Sequence, residues 1–383
     1  MVNKEKLPWD LEEEILSRVP PTSLVRFKTV CKRWNSLFDD NAFINKHKMT
    51  FQFILTTRSK IYSVSVNPKV EVRELTLNTP GLKPQIPISP ISLVDTSGFL
   101  LCGMGEGAVV WNPWLRQTRC IKPEVKQPSL DFIGIGYDNN KRVEKIVYKT
   151  LSVYMKDSSH TWKIYDFASD AWKDQEFRSI TLGIKNCFIV DITSVVSLNG
   201  TLYWVSYDEI THDTDPFLFI LLSFNFSNEK FLKFCNLPSG KNHACDALVL
   251  RVFREDRFSL LKQCHVTKKI KIWVTKNKID DQYGGDVEWM SFMEVSIPNM
   301  PDLVQTKSYS QPSYFIDDKR IVICSCDETG WAWIYVAGEN KFISKVQLDS
   351  VTDPWPLHCT CFTSLVLVPG GQREEAELLK VHY

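Results

Sequence analysis

No stretch of this 383-residue sequence approaches the roughly eighteen consecutive apolar residues of a membrane-spanning helix. The richest run, Pro216-Phe217 through Leu222, is too short. The N-terminal Met1-Val2-Asn3-Lys4-Glu5-Lys6 is not the basic patch and apolar core of a secretory signal. Charge of one sign is also missing. With 46 basic and 45 acidic side chains the net charge is +1, so no global field draws nucleic acid or an anionic membrane. The eleven cysteines are odd in number and scattered, which fits reduced thiols packed as small apolar residues. A soluble intracellular protein of the nucleus, the cytoplasm or both is expected, and the sequons at Asn199 and Asn225 then carry no sugar.

Catalytic signatures are equally scarce. The sequence has no Gly-x-Ser-x-Gly elbow, no Gly-Lys-Ser/Thr phosphate loop and no His-Glu-x-x-His helix. Gly103-Met104-Gly105-Glu106-Gly107 lacks the lysine and following helix that phosphate binding requires, and reads as a hairpin turn. Cys324-x-Cys326 and His358-Cys359-x-Cys361 hold enough donors for zinc, and i, i+2 residues on a strand share a face about 7 Å apart. Both pairs lie in apolar strands without the tight turn of a zinc knuckle, so buried thiols are expected and no metal or cofactor. His243 with Cys245 and Cys264 with His265 are weaker still as ligand pairs.

What is present begins with the first forty-eight residues. Asp10 can cap a helix start, and Glu12, Glu13 and Glu14 follow where the helix dipole favours carboxylates. Leu11, Ile15, Leu16 and Val19 recur at helical spacing until Pro20-Pro21 removes two backbone donors. Thr22 or Ser23 restarts the chain, and Leu24, Phe27, Val30, Cys31, Trp34, Leu37 and Phe38 make a broad apolar stripe, with Arg26, Lys28, Lys32 and Arg33 between them. Asn41 is placed to cap a third short helix carrying Phe43, Ile44 and His47. About forty residues in three helices bury too little to stand alone, so the module needs a partner or the neighbouring domain.

The order Leu7-Pro8, Glu14-Ile15-Leu16, Val19-Pro20, Ser23-Leu24, Val30-Cys31-Lys32-Arg33-Trp34 resembles the F-box. The resemblance implies docking on the Skp-family adaptor of a cullin–RING ubiquitin ligase. The docking residues it implies are Leu7, Pro8, Leu11, Ile15, Leu16, Val19, Pro20, Leu24, Phe27, Val30, Cys31, Trp34 and Leu37. Val19 where leucine is commoner and Trp9 after Leu-Pro are small departures.

Beyond residue 50 the texture changes to short segments rich in Val, Ile, Phe, Tyr and Trp, split by turns every eight to twelve residues. Leu202-Tyr203-Trp204-Val205 is apolar on both faces, as in a sheet packed on either side. Hairpin turns centred at Pro113, Ser169, Asn228, Gly284 and Glu339 fall 56, 59, 56 and 55 residues apart, with an earlier one at Asn67-Pro68. A period near fifty in an all-β chain predicts a β-propeller of six units with kelch-like blade length, although the kelch signature is poor beyond Gly284-Gly285. Phe51–Leu55 and Phe362–Val368 are the strands expected to close the ring in one blade, leaving no exposed sheet edge.

This region resembles the F-box-associated domain of plant F-box proteins in Val109–Arg116, Gly134–Asp138, Lys145–Val147, Ser197–Trp204 and Ser364–Val366. The expected fold is α+β by segregation, a three-helix F-box over residues 1–48 and a β-propeller-like domain over 51–383. The tryptophans at 111, 162, 204, 273 and 333 sit in strand patterns and are expected in the core, whereas Trp114, Trp331 and Trp355 lie at turns as candidate target anchors. Lys268-Lys269-x-Lys271 has the charge to grip an acidic or phosphorylated peptide, but a solvated strand edge with protective lysines is the better reading. The expected protein is non-catalytic. It holds an unknown target near the ligase's charged enzyme, with cullin and RING protein reached through the adaptor, and with neither nucleic acid nor membrane as partner. The alternative is a propeller binding a small ligand or glycan, or an enzyme, with the helices as a packing cap.

Overall fold

The computed structural model describes residues 7–373 apart from 39, 41–42, 45–50, 67–68, 78–89, 97, 106, 124–129, 140–145, 157–158, 176–186, 190–193, 209–216, 244, 280–286, 306–309 and 339–340. Asn41, His47, Asn67-Pro68, Lys145, Gly284-Gly285 and Glu339 lie outside the described residues.

Three helices open the chain: α1 (Trp9–Leu16), α2 (Pro21–Phe27) and α3 (Lys32–Phe38). The N-cap of α1 is Pro8 and makes no side-chain cap, so Asp10 is not the capping residue. It sits in the first turn with Glu12, where its charge meets the positive end of the dipole. Pro20 and Pro21 end one helix and start the next, because Pro21 occupies a first-turn position whose missing N–H costs nothing. The stripe from Leu24 to Phe38 is broken at residues 28–31: the Thr29 hydroxyl donates to the Arg26 carbonyl, and the Cys31 thiol accepts the Trp34 amide at 3.4 Å.

The remaining chain forms six antiparallel sheets. From inside outward, the second blade is Ser92–Asp95, Leu100–Met104, Gly107–Asn112 and Gln117–Ile121; the third is Asp131–Tyr137, Tyr148–Lys156, Ser159–Asp166 and Ala171–Gln175. The fourth is Val196–Leu198 and Cys187–Ile189, which both pair with Thr201–Asp208, then Phe217–Asn225 and Lys230–Asn242. The fifth is Ala247–Phe253, Arg257–Gln263, Ile270–Thr275 and Trp289–Val295; the sixth is Ser313–Asp317, Arg320–Cys326, Ala332–Ala337 and Phe342–Gln347. The first blade takes Phe53–Thr56, Ile61–Ser65 and Glu71–Leu75 from the start of the ring and its innermost strand, Leu357–Thr360, from the end. The innermost strands are neighbours around the axis, which makes a six-bladed β-propeller.

The predicted turn centres all fall between the third and outermost strands of a blade, so the sequence period is the blade period. Where these turns are described they share one device. Asn112 accepts the amides of Trp114 and Leu115 (both 3.0 Å), Asp166 those of Ala168 and Ser169, and Asn225 those of Ser227 and Asn228. Four residues on, Arg116, Asp170 and Glu229 take the left-handed conformation that closes the hairpin.

The ring closes within one blade, but through a different strand from the one expected. Phe53 pairs with Thr360 and Thr56 with Leu357, whereas Phe362–Val368 does not join that sheet. Both C-terminal segments have strand character, and only one edge was free. The displaced segment satisfies its backbone elsewhere: the Asn112 amide donates to the carbonyls of Ser364 (3.0 Å) and Val366 (2.8 Å), and the Val368 amide donates to Gln117. Gln372–Arg373 then adds to the outermost strand of the second blade. Outer edges persist on the other blades, and Glu71–Leu75 defends one with Glu71, Arg73 and Glu74.

The core lies between blades. Leu202 and Trp204 pack with third-blade side chains such as Phe132 and Trp162, while Tyr203 and Val205 pack with fifth-blade Leu250 and Phe258. Between the first two blades, Ile54, Leu93, Leu100 and Trp111 form one contiguous apolar cluster with Leu16, Leu24, Leu37, Phe38, Phe43 and Ile44 of the helical region.

Candidate docking and recognition surfaces

The strand path gives the ring two unlike ends. Connections from innermost to second strand and from third to outermost emerge at one end; connections from second to third strand and from blade to blade emerge at the other. The chain enters the second strand of the first blade from Phe51, at the former end. Phe51, Trp114, Leu115 and Leu365 lie at that end and share the cluster of the helices, so the helical module sits there and the opposite face is turned away from it.

The thirteen F-box residues named from sequence divide three ways. Leu16, Leu24 and Leu37 are buried and hold the helices together and to the ring. Val19, Phe27 and Trp34 are half-buried; the Trp34 indole donates to Glu12 (3.2 Å) and lies 5.7 Å from the Phe27 ring. Leu7, Pro8, Leu11, Ile15, Pro20, Val30 and Cys31 are exposed, with Leu11 at 52%, Ile15 at 55% and Val30 at 60%. Leu11 and Ile15, four residues apart, line one stripe of α1 with Leu7 just before the helix, the Glu14–Arg18 ion pair holding the end of α1 and Arg33 stacked 3.5 Å over Trp9. Four large apolar side chains, Leu7, Leu11, Ile15 and Val30, are thus exposed within one short segment.

The three candidate anchors part company. Trp114 is 3% exposed within the inter-blade core and is no surface anchor: its turn folds inward because Asn112 ties it to the C-terminal segment. Trp331 and Trp355 are half-buried and lie on the face away from the helices, on the sixth-blade turn and the adjoining connection to the first blade. The Trp355 amide donates to the Gly330 carbonyl at 2.7 Å, and Gly330 has a φ of 92° that only glycine takes without strain. A Cβ on Gly330 would fall 2.7 Å from the Trp355 ring. Asp327 braces the same turn, accepting from the Thr329 hydroxyl (2.6 Å), the Trp333 indole and the Thr329 and Trp331 amides. Burial pushes the Asp327 carboxyl up, and these hydrogen bonds outweigh it and bring it below its usual range.

Of the thiols weighed as ligands, Cys324, Cys326, Cys359 and Cys361 are core residues, while Cys245 and Cys264 are half-buried. Burial pushes Cys102 and Cys326 up to about 12 and Cys324, Cys359 and Cys361 well above the ordinary value, so all five are neutral. His358 pairs its Nδ1 with the Ser313 hydroxyl (2.9 Å). Among the described residues no three His, Cys, Asp or Glu side chains converge as a metal site. None of the described helices is long and apolar enough to cross a membrane.

Sequence reasoning missed two clusters. The Arg119 guanidinium donates to the carbonyls of Phe167 (3.0 Å) and Pro369 (2.9 Å) and to Tyr165 and Asp170, joining two blades and the C-terminal segment. Asp246, buried between the fourth and fifth blades, accepts from the amides of His243 and His265. The partners of Arg119 lie on other elements, and Asp246 joins its neighbour His243 to His265 and Lys262 of the fifth blade, so neither cluster is legible from local sequence.

A family model described as an F-box domain matches residues 5–46, and one described as an F-box associated beta propeller domain matches residues 52–368. Neither is an enzyme family. A putative F-box/kelch-repeat protein of Arabidopsis thaliana is 71% identical over 386 residues, spanning 99% of this chain and 90% of the relative. Two further proteins of that plant, a putative F-box protein and an F-box protein, are 58% and 53% identical. The first spans 99% of this chain and 100% of its own, the second 99% of each. The chain belongs to the plant F-box proteins that carry an F-box associated beta propeller.

Proposed function

We propose that this protein is the substrate-recognition subunit of an SCF-type ubiquitin ligase, with the helical module and the ring divided between residues 48 and 51. The observation that carries the reading is the exposed stripe of Leu11 and Ile15 on α1, flanked by exposed Leu7 and Val30, beside Leu16, Leu24, Leu37 and Phe38, which are buried in one cluster with the ring. A Skp-family adaptor covers that stripe together with Pro8, Pro20 and Cys31, and tightens on the half-buried Val19, Phe27 and Trp34. Leu16, Leu24 and Leu37 act indirectly, by fixing the helices. Cullin and RING protein join through the adaptor, in the nucleus, the cytoplasm or both.

The target sits on the opposite face, where Trp331 and Trp355 offer rigid aromatic surface. The chain contributes no bond-making group. It raises the effective concentration of a target lysine at the ubiquitin thioester, and the rigid union of helices and ring keeps that distance defined. Co-expression with a Skp-family adaptor tests the first step. The two are expected to co-elute as one complex on size exclusion; a folded chain that elutes without the adaptor contradicts the reading.

A further inference from the structure

The fifth-blade corner of the face away from the helices presents an apolar knob in a basic surround. Val266 is 71% exposed at the tip of the turn between the second and third strands. That turn is braced throughout. The Lys268 amide donates to the Cys264 carbonyl (2.8 Å), and the Cys264 amide to the Lys269 carbonyl (3.1 Å). Asp246 accepts the His265 amide at 2.9 Å, and the His265 ring stacks on His243 with centroids 4.1 Å apart. The Lys268 ammonium binds the His265 carbonyl and the Asp302 carboxylate, and Gln263 donates to the Pro301 carbonyl and accepts the Leu303 amide. An exposed side chain on so fixed an element loses little freedom when a partner covers it.

Five lysines lie on the turn, its two flanking strands and the neighbouring fourth-blade strand: Lys268 and Lys269, Lys262 and Lys271, and Lys241, whose carbonyl accepts the Lys262 ammonium. The carboxylates facing them are Asp246, Glu294 and Asp302. Asp246 is buried and committed to the two histidine amides and Lys262. Glu294 is shared by Lys269 at 3.8 Å and Lys271 at 3.7 Å, exposed pairs of little energetic worth. Lys241 has no ion pair among the described residues. The outward charge is therefore positive, in a chain whose net charge is only +1.

We propose that this corner docks an acidic amphipathic segment of the target, its apolar stripe over Val266 and its flanking carboxylates on Lys241, Lys269 and Lys271. The assignment rests on the reading that this face holds the target. Two synthetic helical peptides with the same leucine stripe, one flanked by glutamates and one by lysines, are titrated against the full chain by fluorescence anisotropy. The acidic peptide binds about tenfold tighter or more and weakens with added salt, since the attraction is between exposed charges. The double variant K269E/K271E and, separately, V266D each weaken it about fivefold or more. Absence of binding, equal binding of both peptides, or an affinity that K269E/K271E leaves unmoved overturns the proposal. Adaptor co-purification with the same variants separates this failure from failure of the receptor reading, because none of the substituted residues lies on the helices.

Discussion

His358 is 3% exposed on the innermost strand that closes the ring, and burial first, then the nearby charge of Arg251, lowers its pKa from 6.5 to about 4. Its folded form therefore prefers the neutral ring. Between roughly pH 6.5 and 4 the unfolded chain binds more protons than the folded one, so this residue's contribution is intact at neutral pH and lost as pH falls through that window. From pH 7.5 to 5 the loss is about 2 kcal/mol. Asp246, Asp256 and Asp327 have lowered pKa values and give way only at more acidic pH. Urea denaturation at the two pH values should show that loss in the natural protein and most of it absent in H358Q; an equal loss in both assigns the acid sensitivity elsewhere. At this scale sequence reading was weakest. Trp114 and Trp355 both follow or occupy turn-forming residues, and only the long-range tie of Asn112 to Ser364 and Val366 makes the first a core residue.

The hairpin between third and outermost strands shows how equal local signals carry unequal loads. Asn112 and Asn225 each accept two amides of their own turn, but Asn112 also donates to the carbonyls of Gly98, Ser364 and Val366. N112A leaves several buried backbone groups unpartnered and should cost about 3 kcal/mol or more, whereas N225A, which strips an exposed turn, should cost about 1 kcal/mol. Denaturation midpoints of the two variants compare them directly; equal losses would mean that the C-terminal segment is not held through Asn112. The blade period was legible because this turn recurs with its own chemistry, an Asx residue followed four positions later by a left-handed residue. The strand that closes the ring was not, because Leu357–Thr360 and Phe362–Val368 both read as strands and the choice depends on which reaches the free edge of Phe53–Thr56.

On the scale of the whole molecule the helices and the ring share one core. Removing residues 1–48 strips Leu16, Leu24, Leu37, Phe38, Phe43 and Ile44 from the cluster that contains Leu93, Trp111 and Trp114. The remaining ring should melt about 5 °C lower or more and bind a hydrophobic dye, as exposed core surface does. An unchanged melting temperature would show that the helices are merely tethered. The same arrangement separates two kinds of leucine that the sequence pattern could not, since Leu11 and Leu24 recur with the same helical logic and only one faces outward. L24D buries a carboxylate and should unfold the module, whereas L11D/I15D alters only exposed positions and should leave stability within about 0.5 kcal/mol. Calorimetric titration of folded L11D/I15D with a Skp-family adaptor is therefore the most direct measurement. The account predicts at least a hundredfold loss of affinity, about 2.7 kcal/mol, with the melting curve unchanged. Affinity equal to that of the natural chain would contradict it.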